Sequence, residues 1–376
     1  MKFALNRRIA GIAVVSALAV TLSACGQDAV QTEETTGGST DDATTSALSG
    51  AIAGSGSSAQ EKAQNAWLAE FMGKNPGVTV SYDPTGSGAG REQFINGTVV
   101  FAGSDSAFKP EEVTAATERC FGSEPLELPL YVSPIAVVYN LPEVGVEHLN
   151  MTADTIAKIF DGKITTWNDP VIAAANPDAT LPDSAIVPVN RSDESGTTDN
   201  FTKYLAAAAP EAWTYEPDGV WPISGTQSGA QTSGVLEVVN GAEGTIAYVD
   251  ASRAGTLGTV AVGVGDEFVP FSPEAAAKVL EVSSPTADAT DLRLTFDLAR
   301  DTAESGTYPV VLVSYLLACS QYDNEADAAN VAAYLSYIAS PEGQTLAASP
   351  EVAGIAPISD ALRTQVDAAI AQITAG

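Results

Sequence analysis

From position 47 onward, short β-rich runs alternate with stretches whose apolar residues recur at helical spacing. Strands are predicted at Val78–Tyr82, Thr98–Ala102, Leu128–Tyr139, Ile186–Val189, Gly244–Val249 and Tyr308–Leu317. Helices are predicted at Ala59–Lys74, Gly90–Asn96, Thr152–Phe160, Thr198–Ala209 and Asn324–Ser340. Strands alternating with helices predict an α/β fold with a mainly parallel sheet. No repeat of 20–50 residues is visible.

The N-terminus has a different pattern. Lys2, Arg7 and Arg8 precede an uncharged apolar stretch, Ile9 to Leu22, and then Leu22-Ser23-Ala24-Cys25. This is the order of a secretory signal. The stretch is short for a membrane span, which needs about 20 residues. Leu-Ser-Ala-Cys is similar to a bacterial lipobox, which implies cleavage before Cys25 and lipid attachment to its sulfur. The alternative is a plain signal with Cys25 incidental. Segment 25–47 is Thr, Ser, Gly and acid with no aromatic. It reads as a flexible tether that cannot bury enough apolar surface to order itself.

Composition narrows the function. The formal charge is −30. Residues 1–24 hold three cations and no acid, so their removal takes the chain to −33. Such acidity argues against nucleic acid as a partner and against electrostatic docking on an anionic membrane. His148 is the single histidine, which excludes a three-His zinc site and leaves one candidate base for a Ser-His-Asp arrangement. It follows a Pro/Gly turn and reads as a surface residue. Nucleophile-elbow, Walker A and dinucleotide motifs are absent. Ser106-Ala107-Phe108-Lys109 matches Ser-x-x-Lys without its companion motifs and reads as chance. Trp67, Trp167, Trp213 and Trp221 read as packing. With Cys25 lipidated, Cys120 and Cys319 remain, 199 positions apart. Two thiols in an exported chain imply one disulfide; two separate buried thiols are the alternative.

The chemistry lies in the loops. Gly/Ser clusters stand at four junctions: 54–58, 85–90, 102–106 and 191–197. Three of them follow a predicted strand; the first stands ahead of the first predicted helix. In open α/β sheets, ligands sit at the carboxyl ends of strands. Helix N-termini present unpaired N–H groups and a positive dipole end, glycine permits close approach, and hydroxyls add donors. One such cluster is an ordinary turn or cap. Four together, one carrying Arg191, point to a small-oxyanion site. Arg191 offers a planar fork, with Asp193 two residues on to hold it. Asp105 should repel an anion unless that anion carries a proton. Monohydrogen phosphate can donate to it; sulfate at neutral pH cannot.

These residues resemble the phosphate-binding lipoproteins of bacterial phosphate-specific ABC importers, the PstS family, from about Leu48 to Arg363. The likeness is carried by Gly86–Gly90 with Phe101–Asp105, by 159–169 (Ile-Phe-Asp-Gly-Lys-Ile-Thr-Thr-Trp-Asn-Asp), by 191–197 with Phe201–Leu205, and by 241–249. The cysteine pair and the acidity resemble the actinobacterial branch. The resemblance implies a phosphate site made by the Ser58 hydroxyl, the Ala59 amide, Ser87, Asp105, Arg191, Ser195, Gly196 and Thr197, with Asp193 bracing the arginine. The first loop departs from the family's Gly-Ala-Thr-Phe, reading Gly56-Ser57-Ser58-Ala59.

The implied fold is a two-lobed, type II-like periplasmic binding protein with two crossover strands as hinge. Lobe one would take 48–131 and 304–376, and lobe two 132–303. The implied protein is not an enzyme and needs no cofactor or metal. It is an exported, lipid-anchored monomer on the outer face of the cytoplasmic membrane, delivering phosphate to permease subunits of the PstC/PstA type. The competing readings are a receptor for sulfate or molybdate, an exported phosphohydrolase, and a structural surface lipoprotein.

Overall fold

The computed structural model describes residues 48–376. The signal segment 1–24, Cys25 and the rest of the 25–47 tether lie outside the described residues. Among the described residues, no helix is long and apolar enough to cross a membrane.

The first sheet grows from three parallel strands, β1 (Gly50–Gly56), β2 (Val78–Asp83) and β3 (Phe101–Ser104), with β1 in the middle. Helices α1 (Glu61–Lys74), α2 (Ser87–Ile95) and α3 (Pro110–Arg119) follow them in turn. Strand β4 (Pro125–Tyr139) is buried over all 15 residues. Past it come β5 (His148–Met151), α4 (Ala153–Phe160), α5 (Pro170–Ala175), β6 (Val187–Arg191), α6 (Gly196–Ala208), β7 (Gln227–Gly229), α7 (Gln231–Gly241) and β8 (Thr245–Asp250). Then β9 (Gly258–Val264), β10 (Glu267–Val269) and α8 (Pro273–Glu281) complete the second sheet and its cover. Short strands β11 (Ser284–Pro285) and β12 (Phe296–Asp297) pair with each other before β13 (Val311–Cys319) returns to the first sheet. After β14 (Gln321–Tyr322) come α9 (Glu325–Ala339), α10 (Pro341–Ala348) and α11 (Asp360–Ile370), and β15 (Thr374–Ala375) then pairs in parallel with β14.

The strand order is β2-β1-β3-β13-β4-β8-β6-β7. β4 is antiparallel to β13 from Pro125 to Pro134, then to β8 from Ile135 to Tyr139. It therefore belongs to both sheets, and two lobes hang from β4 and β13. Proline donates no N–H, so it suits a central strand only where the ladder is interrupted. Pro134 stands where β4 changes partner. Pro129 stands beside a register shift between Ser314 and Tyr315 of β13. That irregularity lies within reach of the ligand loops and bears on the site below.

Cys120, at the end of α3, is disulfide-bonded to Cys319, at the end of β13, with Cα atoms 5.2 Å apart. The two-thiol alternative is thereby excluded. The predicted elements are present with shifted ends. The strand expected at Thr98 begins at Phe101, and that at Tyr308 begins at Val311. The helices expected from Gly90 and Thr198 begin at Ser87 and Gly196, inside the glycine clusters.

Candidate functional site

Loops from the carboxyl ends of β1, β2, β3 and β6 converge between the lobes. Ser87 is the first residue of α2, and Asp105 follows β3. Arg191 ends β6, and Ser195 caps α6, its side chain accepting from the Thr198 N–H at 3.2 Å. All four are at most 3% exposed. Helix geometry leaves the Gly196 and Thr197 N–H groups without intrahelical acceptors, aimed out of the α6 N-terminus. Two glycines permit this approach. A Cβ on Gly196 would stand 2.6 Å from Ser87 Oγ and 2.5 Å from Asp105 Cβ. Gly86 has φ +102°, and a Cβ there would meet Asp193 Oδ2 at 2.6 Å.

Arg191 pairs with Asp193 through Nε (2.9 Å) and Nη2 (2.5 Å), which leaves Nη1 for another acceptor. Burial alone would push Asp193 up. The Arg191 hydrogen bonds and charge, with the Gln231 N–H, outweigh it and hold the carboxyl below its usual range. Asp105 ends on the other side of the balance. Burial raises it, and hydrogen bonds from Ser314, Ser57 and Thr197 together with the Arg191 charge only partly oppose this. Asp105 Oδ1 accepts from Ser57 Oγ (2.5 Å) and Ser314 Oγ (2.6 Å). Oδ2 faces the second lobe, where Thr197 Oγ1 lies at 3.3 Å.

The lobes are closed on each other around these groups. Asn200 donates to the Asp105 carbonyl at 2.7 Å, and Ser106 Oγ to Asp199 Oδ2 at 2.6 Å. Arg91 Nη2 reaches Glu194 Oε1 at 2.8 Å, and Lys109 Nζ reaches it at 3.3 Å. A cavity of about 230 Å³ opens beside Ser195 and Gly196, with Arg91, Lys109 and Lys203 facing Glu194, Asp199 and Asp218. Among the described residues, no group of three or more His, Cys, Asp or Glu could hold a metal ion. The chemistry on offer is recognition: hydroxyls, helix-end amides, one guanidinium and one carboxylate acceptor.

Comparison with known proteins decides the family. A model of the PBP superfamily domain matches residues 28–342. Phosphate-binding protein PstS 3 of Mycobacterium tuberculosis (strain ATCC 25618 / H37Rv) is 37% identical over 344 residues, 88% of this chain and 90% of that one. The chain belongs to the PstS family. Phosphate-binding protein PstS2 of Mycobacterium bovis (strain BCG / Pasteur 1173P2) is 32% identical over 380 residues, all of both chains. The names of these PstS relatives describe binding proteins, not enzymes. Among solved structures, a high affinity periplasmic phosphate-binding protein (PfluDING) bound with phosphate aligns at TM-score 0.67. It is 19% identical and covers 85% of this chain and 93% of its own. At that identity the likeness establishes the fold alone: a two-lobed periplasmic binding protein.

Against the sequence-based site, the structure brings Ser87, Asp105, Arg191, Asp193, Ser195, Gly196 and Thr197 together. The first loop is engaged differently. Ser58 Oγ is 2.9 Å from Thr232 Oγ1 at the start of α7, and the Ala59 N–H donates to Ser57 Oγ at 3.1 Å. Sequence reasoning passed over Ser57, Thr232 and Ser314. A Ser-Ser pair before a helix marks Ser57 as readily as Ser58, but Thr232 and Ser314 carry no local signal. They reach the site only through tertiary packing.

Proposed function

We propose that this chain captures inorganic phosphate between its lobes, outside the cytoplasmic membrane, and delivers it to an ABC permease for import. Supporting this is Asp105, a buried carboxylate set among anion donors. In a site built for anions it is an obstacle unless the ligand brings a proton. Its Oδ2 would accept that proton. Arg191 Nη1, Ser87 Oγ and the Ser195–Thr197 helix start would hold the phosphate oxygens, with Asp193 fixing the guanidinium; Ser58 Oγ and the Ala59 N–H would join them by exchanging their Thr232 and Ser57 partners for the ligand. Family membership supports the same ligand.

The ligand would bridge loops from both lobes and so favour the closed form, which the permease subunits of the PstC/PstA type would recognise. In this proposal lobe one comprises 48–131 and 304–376 and lobe two 132–303, close to where β4 changes partner. The protein works as a monomer tethered through a lipid on Cys25. No cofactor or metal takes part.

Calorimetry of the protein freed of ligand tests the reading, with phosphate and then sulfate titrated into wild type and Asp105→Asn. Tight phosphate with silent sulfate, and loss of that preference in the variant, are expected. Equal binding of both anions by wild type would replace phosphate with a general oxyanion receptor. Binding of neither would remove the transport reading.

A further inference from the structure

Asp105 is the end of a chain of buried side chains. Tyr334 Oη on α9 donates to Gln64 Oε1 at 2.8 Å. Gln64 Nε2 donates to Gln60 Oε1 at 2.8 Å, and Gln60 Nε2 to Ser314 Oγ at 2.5 Å. Ser314 Oγ then donates to Asp105 Oδ1 at 2.6 Å. Tyr334, Gln64, Gln60 and Ser314 are each 0% exposed. They come from α9, α1, the turn before α1, and the bulged position of β13. None of the four is among the groups proposed above to hold phosphate; Ser314 meets the site through Asp105.

The direction of the chain is set at both ends. Gln60 Nε2 also lies 3.5 Å from the Tyr315 carbonyl oxygen, which can only accept. That orients the Gln60 amide, so Ser314 Oγ accepts from it and must send its own proton onward. At the far end, Tyr334 is pushed well above its ordinary range by burial and remains a donor. An ionised Asp105 fits this polarity. A protonated Asp105 donating back to Ser314 would conflict with it. Ser57 Oγ accepts from the Ala59 N–H and gives its proton to the same Oδ1, so it acts in the same sense. Successive hydrogen bonds of one polarity strengthen each other.

We propose that the chain Tyr334–Gln64–Gln60–Ser314 positions Asp105 as a carboxylate, saturates its Oδ1, and leaves Oδ2 alone to read the ligand's proton. The chain thereby determines the selectivity of the site. This rests on the phosphate-binding reading. Other titratable and charged groups face Asp105 from the surrounding elements. Arg191 of β6 favours the ionised form, and Tyr82 of β2 and Tyr131 of β4 are neutral. Asp199 and Lys203 of α6 pair with each other, and Arg300 lines a cavity that Asp105 shares. The Arg191 charge alone does not choose between the two oxygens; the chain does.

Ser314→Ala, Ser314→Cys and Tyr334→Phe in the full chain test this. The cysteine keeps the volume but is a weak donor, and Tyr334→Phe removes one hydroxyl far from the ligand. Phosphate affinity is measured from pH 5 to 8.5. The Asp105 carboxyl carbon is titrated by NMR in ligand-free protein. Both Ser314 variants should lose about tenfold in affinity at pH 8, the effect of one hydrogen bond to a charged group. The loss should grow as pH falls, the Asp105 midpoint should move up, and Tyr334→Phe should shift both in the same direction by less. A purely structural role would lower thermal stability and leave the pH profiles parallel. Parallel profiles with an unmoved Asp105 midpoint would overturn the proposal. If wild type bound no phosphate the binding reading would fail, yet the ligand-free titration would still decide the role of the chain.

Discussion

Glu194→Gln should speed ligand release while leaving the fold intact. Glu194 sits on the binding loop between Arg191 and Ser195, and Arg91 lies on α2, the helix that begins at Ser87. Their 2.8 Å ion pair, with Lys109 at 3.3 Å, therefore ties one anion loop to another across the cleft. Opening the lobes must break it. Arg91 is 3% exposed but keeps Glu112 at 2.9 Å, so the variant does not strand a buried cation. Glu194 is 37% exposed, which places each contact nearer the surface range of about 0.2–1 kcal/mol than that of a buried pair. Two contacts on one carboxylate, one to a buried partner, then favour closure by about 1–2 kcal/mol. That is about 5- to 30-fold in the release rate, since 1.4 kcal/mol is tenfold. Stopped-flow displacement of phosphate reads it directly. Raising the salt to 1 M, where screening acts over about 3 Å, should bring wild type toward the variant. A release rate within twofold of wild type at low salt would show that the pair does not latch the closed form.

Arg191→Ala removes the guanidinium proposed to hold the ligand and should weaken phosphate binding on the order of 100-fold, the scale for truncating a buried hydrogen-bonded charge; unchanged affinity in calorimetry would move the site elsewhere. Cys120→Ser with Cys319→Ser opens a link across 199 positions and should lower stability by up to about 4–5 kcal/mol in the loop-entropy model, read by denaturant unfolding, with phosphate affinity unchanged. Asp250 is fully buried, and burial pushes it up to about 6 against hydrogen bonds from Ser252, Ser133 and Tyr131. The folded state therefore holds its proton more tightly than the unfolded one, and stability falls as pH rises from about 4 to 6. Asp250→Asn should flatten that slope and raise stability at pH 8 by up to about 3 kcal/mol, at 1.36 kcal/mol per pH unit, read as a higher melting temperature; a slope equal to wild type's would assign it to another group.

Legibility in the sequence followed locality. Alternation of period predicts the parallel α/β pattern, and strand-loop-helix junctions mark the anion loops, because both depend on neighbours within about ten residues. The first strand carries little local signal. Gly50-Ala51-Ile52-Ala53-Gly54-Ser55-Gly56 has one β-branched residue, and its pairing with β2 and β3 on either side makes it a strand. Sequence alone places the α2 and α6 starts too late because glycine in a first turn looks like loop. Gly86 and Gly196 are small for a different reason, since the opposite lobe presses against them. Arg191 and Asp193 declared themselves by spacing. Ser314 could not: it lies 209 positions from Asp105 and enters the site through a bulge opposite Pro129 and Tyr131. Gln60 and Gln64 have the i, i+4 spacing of one helix face, and only their burial shows them to be a network.

The chain's charge of −30 and its proposed cargo are reconciled by where the charges stand. Within the site, Arg191 is balanced by Asp193, and Asp105 adds a further negative charge. Attraction to a phosphate dianion therefore rests on hydroxyls, amides and a helix end, which are neutral and short in range. The acidic surface acts at long range, and at physiological salt its field decays over about 8 Å. It acts on encounter, which it slows, far more than on the closed complex. Release would instead answer to Glu194 and its two cations. Rising salt should therefore speed association by screening the surface and speed dissociation by loosening the latch, so that affinity changes less than either rate. On these proposals solubility would be set by the surface, selectivity by Asp105 and its buried chain, and residence time by Glu194 at the mouth of the cleft.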